Sequence, residues 1–396
     1  MRAFVCRRCR ELAPFESQEC RRCGALLGFD PVSANLEPLH PAGPGLVRFD
    51  PGCGADNPNA DNPNAGNPNG GNPNSDNRWA RCSRSALADC NWLVPIAEAG
   101  KPCLSCRLTL NLPPKGDEEY RDAYSKAEQA KRRLIFQLRQ LDLPLTGRDE
   151  DPEAGLAFEL LASDRHVVTG HENGIVTIDL NETDDAFREQ TRAQFGEPYR
   201  TLLGHFRHEV GHYYWARLIA KTYGDGARPG RRTGHRPGGP AAGCWLEEAR
   251  CLFGDDRVDY EAARDAHYAK GPSLDWGENH VSAYAAMHPL EDWAETFAHY
   301  LHIWDAVQTA ASFGVLVGGP VDDRTGRRDP AKASAPSEDT AFLEGFDAVI
   351  ADWLPLTLAL NALNRSLGKD DLYPFELPPA VIAKLAFVHR VITSSQ

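Results

Sequence analysis

Apolar residues recur at three- and four-residue steps at Leu202, Leu203, Phe206, Val210 and Leu218, and Gly224 stands where a helix with that period should stop. The same period runs through 117–141. There Tyr120, Tyr124, Leu134, Leu138 and Leu141 form a stripe, the intervening charges are expected to make a solvated face, and Pro144 follows the end. Further helices are expected from Pro289, a residue suited to a first helical turn, and over 255–270. Two apolar helices between Phe346 and Val391, split at Asp370-Asp371-Leu372-Tyr373-Pro374-Phe375, should cover the core. Period-two alternation marks Leu156–Leu161, His166–Thr169 and Gly174–Asp179 as strands, the last two joined through 170–174 as a hairpin, and Asn91–Pro95 as an apolar strand. The mixture predicts an α+β chain, mainly helical with a small sheet.

The pattern breaks in four places. Residues 31–50 are rich in proline and glycine and read as a linker, and 56–77 repeat Asn-Pro-Asn with no apolar residue to bury. Residues 224–243, with His235, and 316–338 read as polar loops. The expected organisation is therefore a module at 1–30, a linker and low-complexity tract at 31–77, a second module at 78–112, and a large domain at 113–396.

The modules are defined by cysteine. Cys6-x2-Cys9 and Cys20-x2-Cys23 are two knuckles that can face each other across one zinc ion, as in a zinc ribbon. So short a segment has little apolar surface, and metal binding should supply its folding energy. Cys82, Cys90, Cys103 and Cys106 form a second set, in which Cys53 is a candidate to replace Cys82. Cys244 and Cys251 read as buried thiols.

The helix around Leu202 carries His208-Glu209-x-x-His212. On a helix, residues four apart share a face, so both imidazoles can reach one metal ion. Zinc held there lowers the pKa of water towards about 7, and Glu209 can take the proton released. The competing reading is a buried helix whose histidines are satisfied by hydrogen bonds. A third ligand is expected from the Pro289 helix, where Glu291 and Glu295 are four apart. His205 shares the face of His208 and His212 and reads as support or packing. His280 and His288 sit where a transition-state donor could lie, and His299 and His302 read as structural.

Composition narrows the function. The chain has 396 residues and a formal charge of −13, which argues against coating nucleic acid or an anionic membrane. It has no run of eighteen apolar residues and no export signal, so the expectation is a soluble cytoplasmic chain with its cysteines reduced.

At Glu291-Asp292-Trp293-Ala294-Glu295 the sequence resembles the gluzincin metallopeptidases. That resemblance implies Glu291 as the zinc ligand and Glu295 as the acid that orients a ligand histidine, with the reverse assignment as the alternative register. It also implies Tyr284 as the residue stabilising the oxyanion. Together with the Cys6/Cys9/Cys20/Cys23 ribbon, Asn91-Trp92-Leu93-Val94-Pro95, the stretch from Gly196 to Glu209 and Leu372-Tyr373-Pro374-Phe375, the order of parts is similar to a bacterial family of zinc-binding metallopeptidases with an N-terminal zinc ribbon. The resemblance implies hydrolysis of peptide bonds in a peptide or protein substrate, with one catalytic zinc and one or two structural ones. The ribbon is a candidate surface for a protein partner.

Overall fold

The computed structural model describes residues 2–43, 45–49, 78–162, 167, 169–195, 197–220, 244–319 and 345–395. The Asn-Pro tract, Cys53, His166, the loop 224–243 and most of 316–338 lie outside the described residues, together with the expectations placed on them. Two compact units divide the chain, Met1–Arg132 and Arg133–Gln396.

In the first unit, β1 (Phe4–Val5) and β2 (Leu12–Ala13) make a small hairpin around the first cysteine pair. A five-stranded antiparallel sheet comes next, in the order β3 (Leu26–Asp30), β4 (Asn35–Gly43), β5 (Leu46–Phe49), β6 (Arg78–Arg81) and β7 (Leu93–Pro95). The linker expected over 31–50 is thus corrected. Pro41 and Gly43 flank a register shift in the β4–β5 pairing, where a proline and a glycine cost a sheet little, while Leu36, Leu39 and Val47 are buried. Phe15, Phe29 and Trp92 pack in the core, Phe15 edge-to-face on Phe29 with centroids 5.0 Å apart and Phe29 tilted on Trp92 at 4.8 Å. The Asn91 amide fastens the second knuckle's approach to this core by donating to the carbonyls of Phe15 (2.6 Å) and Ser17 (3.2 Å).

Helix α1 (Glu118–Gln140) contains the boundary between the units. Glu118, Glu119, Arg121, Asp122, Lys126 and Arg133 form the exposed face that the spacing suggested, but three other charges do not join it. Glu128, Lys131 and Arg132 are fully buried, and Glu128 reaches Cys106 of the second cysteine set.

The second unit opens with a three-stranded sheet, β8 (Ala157–Leu161), β10 (Ile175–Asp179) and β9 (Gly170–Glu172), in the order β8-β10-β9. The β9–β10 hairpin lies four residues later at its first strand than the alternation suggested. It turns at Asn173 and Gly174, both with positive φ, and a Cβ on Gly174 would meet the Gly155 carbonyl oxygen at 2.6 Å. The helices are α2 (Asp185–Phe195), α3 (Leu202–Tyr214), α4 (Cys244–Phe253), α5 (Tyr260–Lys270), α6 (Pro289–Ser312), α7 (Phe346–Ser366) and α8 (Pro379–Ser394). Thr201 caps α3 by accepting from the Gly204 N–H at 3.0 Å, and past Tyr214 the coil widens into a π-helical turn, Trp215–Ala220. His288 caps α6, as Asp259 caps α5, which begins five residues later than expected.

Helices α3 and α6 come unusually close, and glycine is what permits it. A Cβ on Gly211 would stand 3.0 Å from the Cα of Ala294, and the Trp293 indole N–H donates to the Gly211 carbonyl at 2.8 Å. Trp293, Phe297, Phe253 and Phe387 fill the core around this crossing. Helix α7 is long and apolar enough to cross a membrane by length and composition alone; Phe346, Val349, Ile350, Trp353 and Leu356 are buried in the protein, while Leu354, Leu358 and Leu363 are exposed.

Candidate metal centre

Among the described residues three groups of side chains could hold a metal ion. His208, His212 and Glu291 make the first, brought together by the α3–α6 crossing. Nε2 of His208 lies 3.3 Å from Nε2 of His212 and 3.0 Å from one Glu291 oxygen, while the other Glu291 oxygen is 3.4 Å from Nε2 of His212. Tetrahedral coordination with bonds of about 2.0 Å separates donors by roughly 3.3 Å, so these atoms are spaced as three corners of a zinc site. Two imidazoles and one carboxylate are a donor set that suits zinc.

Glu295 approaches the opposite side of the same ring. Its Oε1 lies 2.7 Å from Nδ1 of His208, and Ser282 Oγ donates to its other oxygen at 2.7 Å. A carboxylate accepting from Nδ1–H fixes the tautomer that leaves Nε2 facing the metal. The geometry thus separates the two acids: Glu291 stands with the converging nitrogens and Glu295 behind them. Tyr260, to which the sequence assigned nothing, donates to Glu291 Oε1 at 2.9 Å. No local pattern relates residue 260 to residue 291; the contact exists because the first turn of α5 lies over α6.

Burial pulls the His208 pKa down, but the two carboxylates outweigh it and hold the imidazole well above its ordinary 6.5. Burial likewise opposes ionisation of Glu295, and the His208 bond prevails, leaving it at about 2; Glu291 is lowered, against its burial, by His208 and His212. Burial pushes the Glu209 carboxyl up, with the histidines opposing. Because the two carboxylates favour the protonated form of His208, a cation at Nε2 must displace a proton, and zinc affinity at this site is expected to rise with pH, by about tenfold per pH unit for each proton displaced. Competition with a zinc-binding dye reads this; an affinity that does not change with pH would contradict the pairing.

His208 and the supporting Glu295 line a cleft of ≈ 500 Å³. Glu209, Tyr284 and His205 border it too, and the Tyr284 ring centroid is 5.9 Å from that of His208. His299 and His302, read from sequence as structural, also face it. His280 and His288 do not border it. His288 is occupied in capping α6 and pairing with the Val258 carbonyl, and His280 lies against Trp276 and Asp292.

The other two groups are the cysteine sets in the order the sequence suggested. In the first, Sγ of Cys6 is 3.8 Å from Cys23 and that of Cys9 is 3.5 Å from Cys20. Zinc–thiolate bonds of about 2.3 Å space sulfurs by roughly 3.8 Å. Arg10 and Gly24, each just after a cysteine pair, adopt the left-handed conformation that closes a knuckle. In the second set Cys82 joins Cys90, Cys103 and Cys106, Sγ of Cys90 is 3.7 Å from that of Cys103, and all four side chains are buried. Backbone N–H groups of Arg84 and Cys103 point at Cys82 Sγ (3.4 and 3.3 Å). Four thiolates around a divalent ion leave two negative charges, and the buried residues of α1 answer them. Lys131 binds Glu128 (2.8 Å) and Thr109, Glu128 lies 3.8 Å from Cys106 Sγ, and Arg132 stands beside them. Cys251, expected buried, is exposed; the Cys244 side chain lies outside the described residues.

A family described as "Putative zinc-binding metallo-peptidase" matches residues 120–231 and 240–391, and one described as a zinc-ribbon domain matches 3–55 and 59–117. Proteins of Mycobacterium tuberculosis (Rv2568c) and Mycobacterium bovis (Mb2598c) are each 42% identical over 393 residues, covering 99% of this chain and 95% of theirs. No solved structure matches the chain.

Proposed function

We propose that this chain, which belongs to the zinc-binding metallo-peptidase family, hydrolyses peptide bonds with Glu209 carrying the proton. The observation that bears this reading is the convergence of His208, His212 and Glu291 on one point bordering an open cleft, with Glu209 beside them. Three donors leave a coordination position open, where the cysteine sets are closed with four. Zinc bound there supplies Lewis acidity, which acidifies water and polarises a carbonyl. Glu209 takes the proton of the attacking water and passes it to the leaving amine. Tyr284 donates a hydrogen bond to the oxygen that gains charge as the carbonyl carbon becomes tetrahedral. Tyr260 holds Glu291, and Glu295 holds His208, each through a single hydrogen bond.

Substrate presentation comes from the sheet. In the order β8-β10-β9, β9 is an edge, and His171 on it stacks at 6.3 Å on His212. An extended peptide adding to that edge would lie along the metal helix. The two cysteine sites are read as structural zinc sites, which suits a reducing compartment and so a cytoplasmic location.

Incubating the zinc-loaded protein with a mixed peptide library and reading new termini by mass spectrometry tests the proposal. Cleavage should stop with a zinc chelator and return with added zinc. A library left intact by fully zinc-loaded protein would sink it.

A further inference from the structure

The cleft does not end at the metal residues. Glu295, His299 and His302 recur on one face of α6, so the face that steers His208 continues as a wall of the cleft to about three turns beyond Glu291, roughly 16 Å along the axis. Tyr373 and Phe375 close on this wall: His299 is 4.4 Å from Phe375 and His302 is 5.3 Å from Tyr373, centroid to centroid. Tyr199 completes the enclosure at 5.7 Å from His302 and 6.0 Å from Phe375. The rings are held in place, since Tyr373 donates to Nδ1 of His299 at 2.7 Å and Asn361 pairs with both the N–H and the carbonyl of Tyr373 (3.0 and 2.8 Å). Burial lowers His299 to about 4 and His302 to about 3, so both are neutral π surfaces at pH 7.

The facing wall carries charge. Arg200 donates to Glu182 (2.5 and 3.4 Å) and to Glu197 (2.9 and 3.1 Å), so four of its five N–H groups point at these two carboxylates. Arg207 directs Nε and Nη2 to Gln137 and Nη2 to Asp305 at 2.7 Å, which pairs its charge with a carboxylate. One arginine shared between two carboxylates leaves one negative charge over. The Glu182 side chain is 4% exposed and that of Glu197 30%, so the carboxylate within reach of the cleft is Glu197.

We propose that this arm of the cleft is a recognition pocket for a basic side chain, arginine or lysine, whose stem and cationic head lie on Tyr199, His302 and Phe375 and whose charge is met by Glu197. An aromatic enclosure with a surplus carboxylate favours a cation over an anion, and over a neutral chain that would leave the carboxylate unanswered. The assignment of the bound molecule as a peptide rests on the peptidase reading.

The test is a binding measurement on full-length, zinc-loaded Glu209→Gln protein, so that no probe is consumed. Acetylated, amidated alanine hexapeptides carrying a single arginine, lysine, citrulline, phenylalanine or glutamate at each position in turn are titrated by calorimetry. At the best position the arginine and lysine peptides should bind about tenfold tighter than the citrulline and glutamate peptides. Adding Glu197→Gln or Phe375→Ala should cut that advantage to about threefold or less with zinc content unchanged. Citrulline or phenylalanine binding as tightly as arginine, equal weak binding of every peptide, or an advantage untouched by Glu197→Gln would overturn the pocket. The two readings fail separately. Wild-type protein that selects basic peptides without cleaving any removes the peptidase and leaves the pocket. Cleavage indifferent to basic residues does the reverse.

Discussion

Glu209→Gln is expected to lower kcat for peptide hydrolysis by about a thousandfold or more, with zinc content and thermal stability unchanged. Glutamine has the shape of the carboxylate but cannot accept and release a proton, so the substitution removes the proton carrier and little else. Glu209 is buried beside His208 and borders the cleft, and its side chain is not one of the three that converge on the metal position. The loss should therefore appear in kcat, with KM close to wild type. A variant that cleaves at the wild-type rate would show that the HExxH zinc is structural and would turn the protein into a zinc-clamped adaptor.

Cys103→Ser should remove one zinc ion and destabilise the first unit by several kcal/mol. The four sulfurs of this site are buried, and so are Lys131, Arg132 and Glu128 around them. Burying two cations is tolerable when a dianionic zinc–thiolate centre faces them; without it they confront a single carboxylate in a low-dielectric interior. The apolar core of this unit, with Leu39, Val47, Trp79 and Leu93 in one cluster and Phe15, Phe29 and Trp92 beside the first knuckles, is small for offsetting that cost. Limited proteolysis and a thermal melt followed by circular dichroism would read the change. A melt identical to wild type would contradict the metal-dependent account of this unit.

Much of the metal centre was legible because regular helices make it so. Residues four apart on α3 and on α6 share faces whatever else the chain does, which placed His208 with His212 and Glu291 with Glu295 before any coordinates. The two acids could be told apart only across the helix crossing, where Gly211 and Ala294 fix the separation. The cysteine sets were legible from spacing. Strand pairing in the first unit was not: β4 carries two prolines and a glycine, and its stability comes from pairing with β3 and β5 and from the core beneath. Three charges of α1, Glu128, Lys131 and Arg132, leave its solvated face, and only the thiolates packed beside them explain their burial. Tyr260 and the rings of Tyr199, His302 and Phe375 come from separate segments, so no window of the sequence contains those arrangements.

Zinc bound per purified chain, measured by plasma mass spectrometry on wild type, Glu291→Ala and Glu295→Ala after dialysis against a weak chelator, bears on the whole proposal. Two closed cysteine sites and one open site predict about three ions for wild type. Glu291→Ala should fall to about two, and Glu295→Ala should start near three and lose one ion more readily as chelator is raised, since it orients His208 without binding the metal. Glu291→Ala protein that keeps every zinc ion as tightly as wild type would contradict the site.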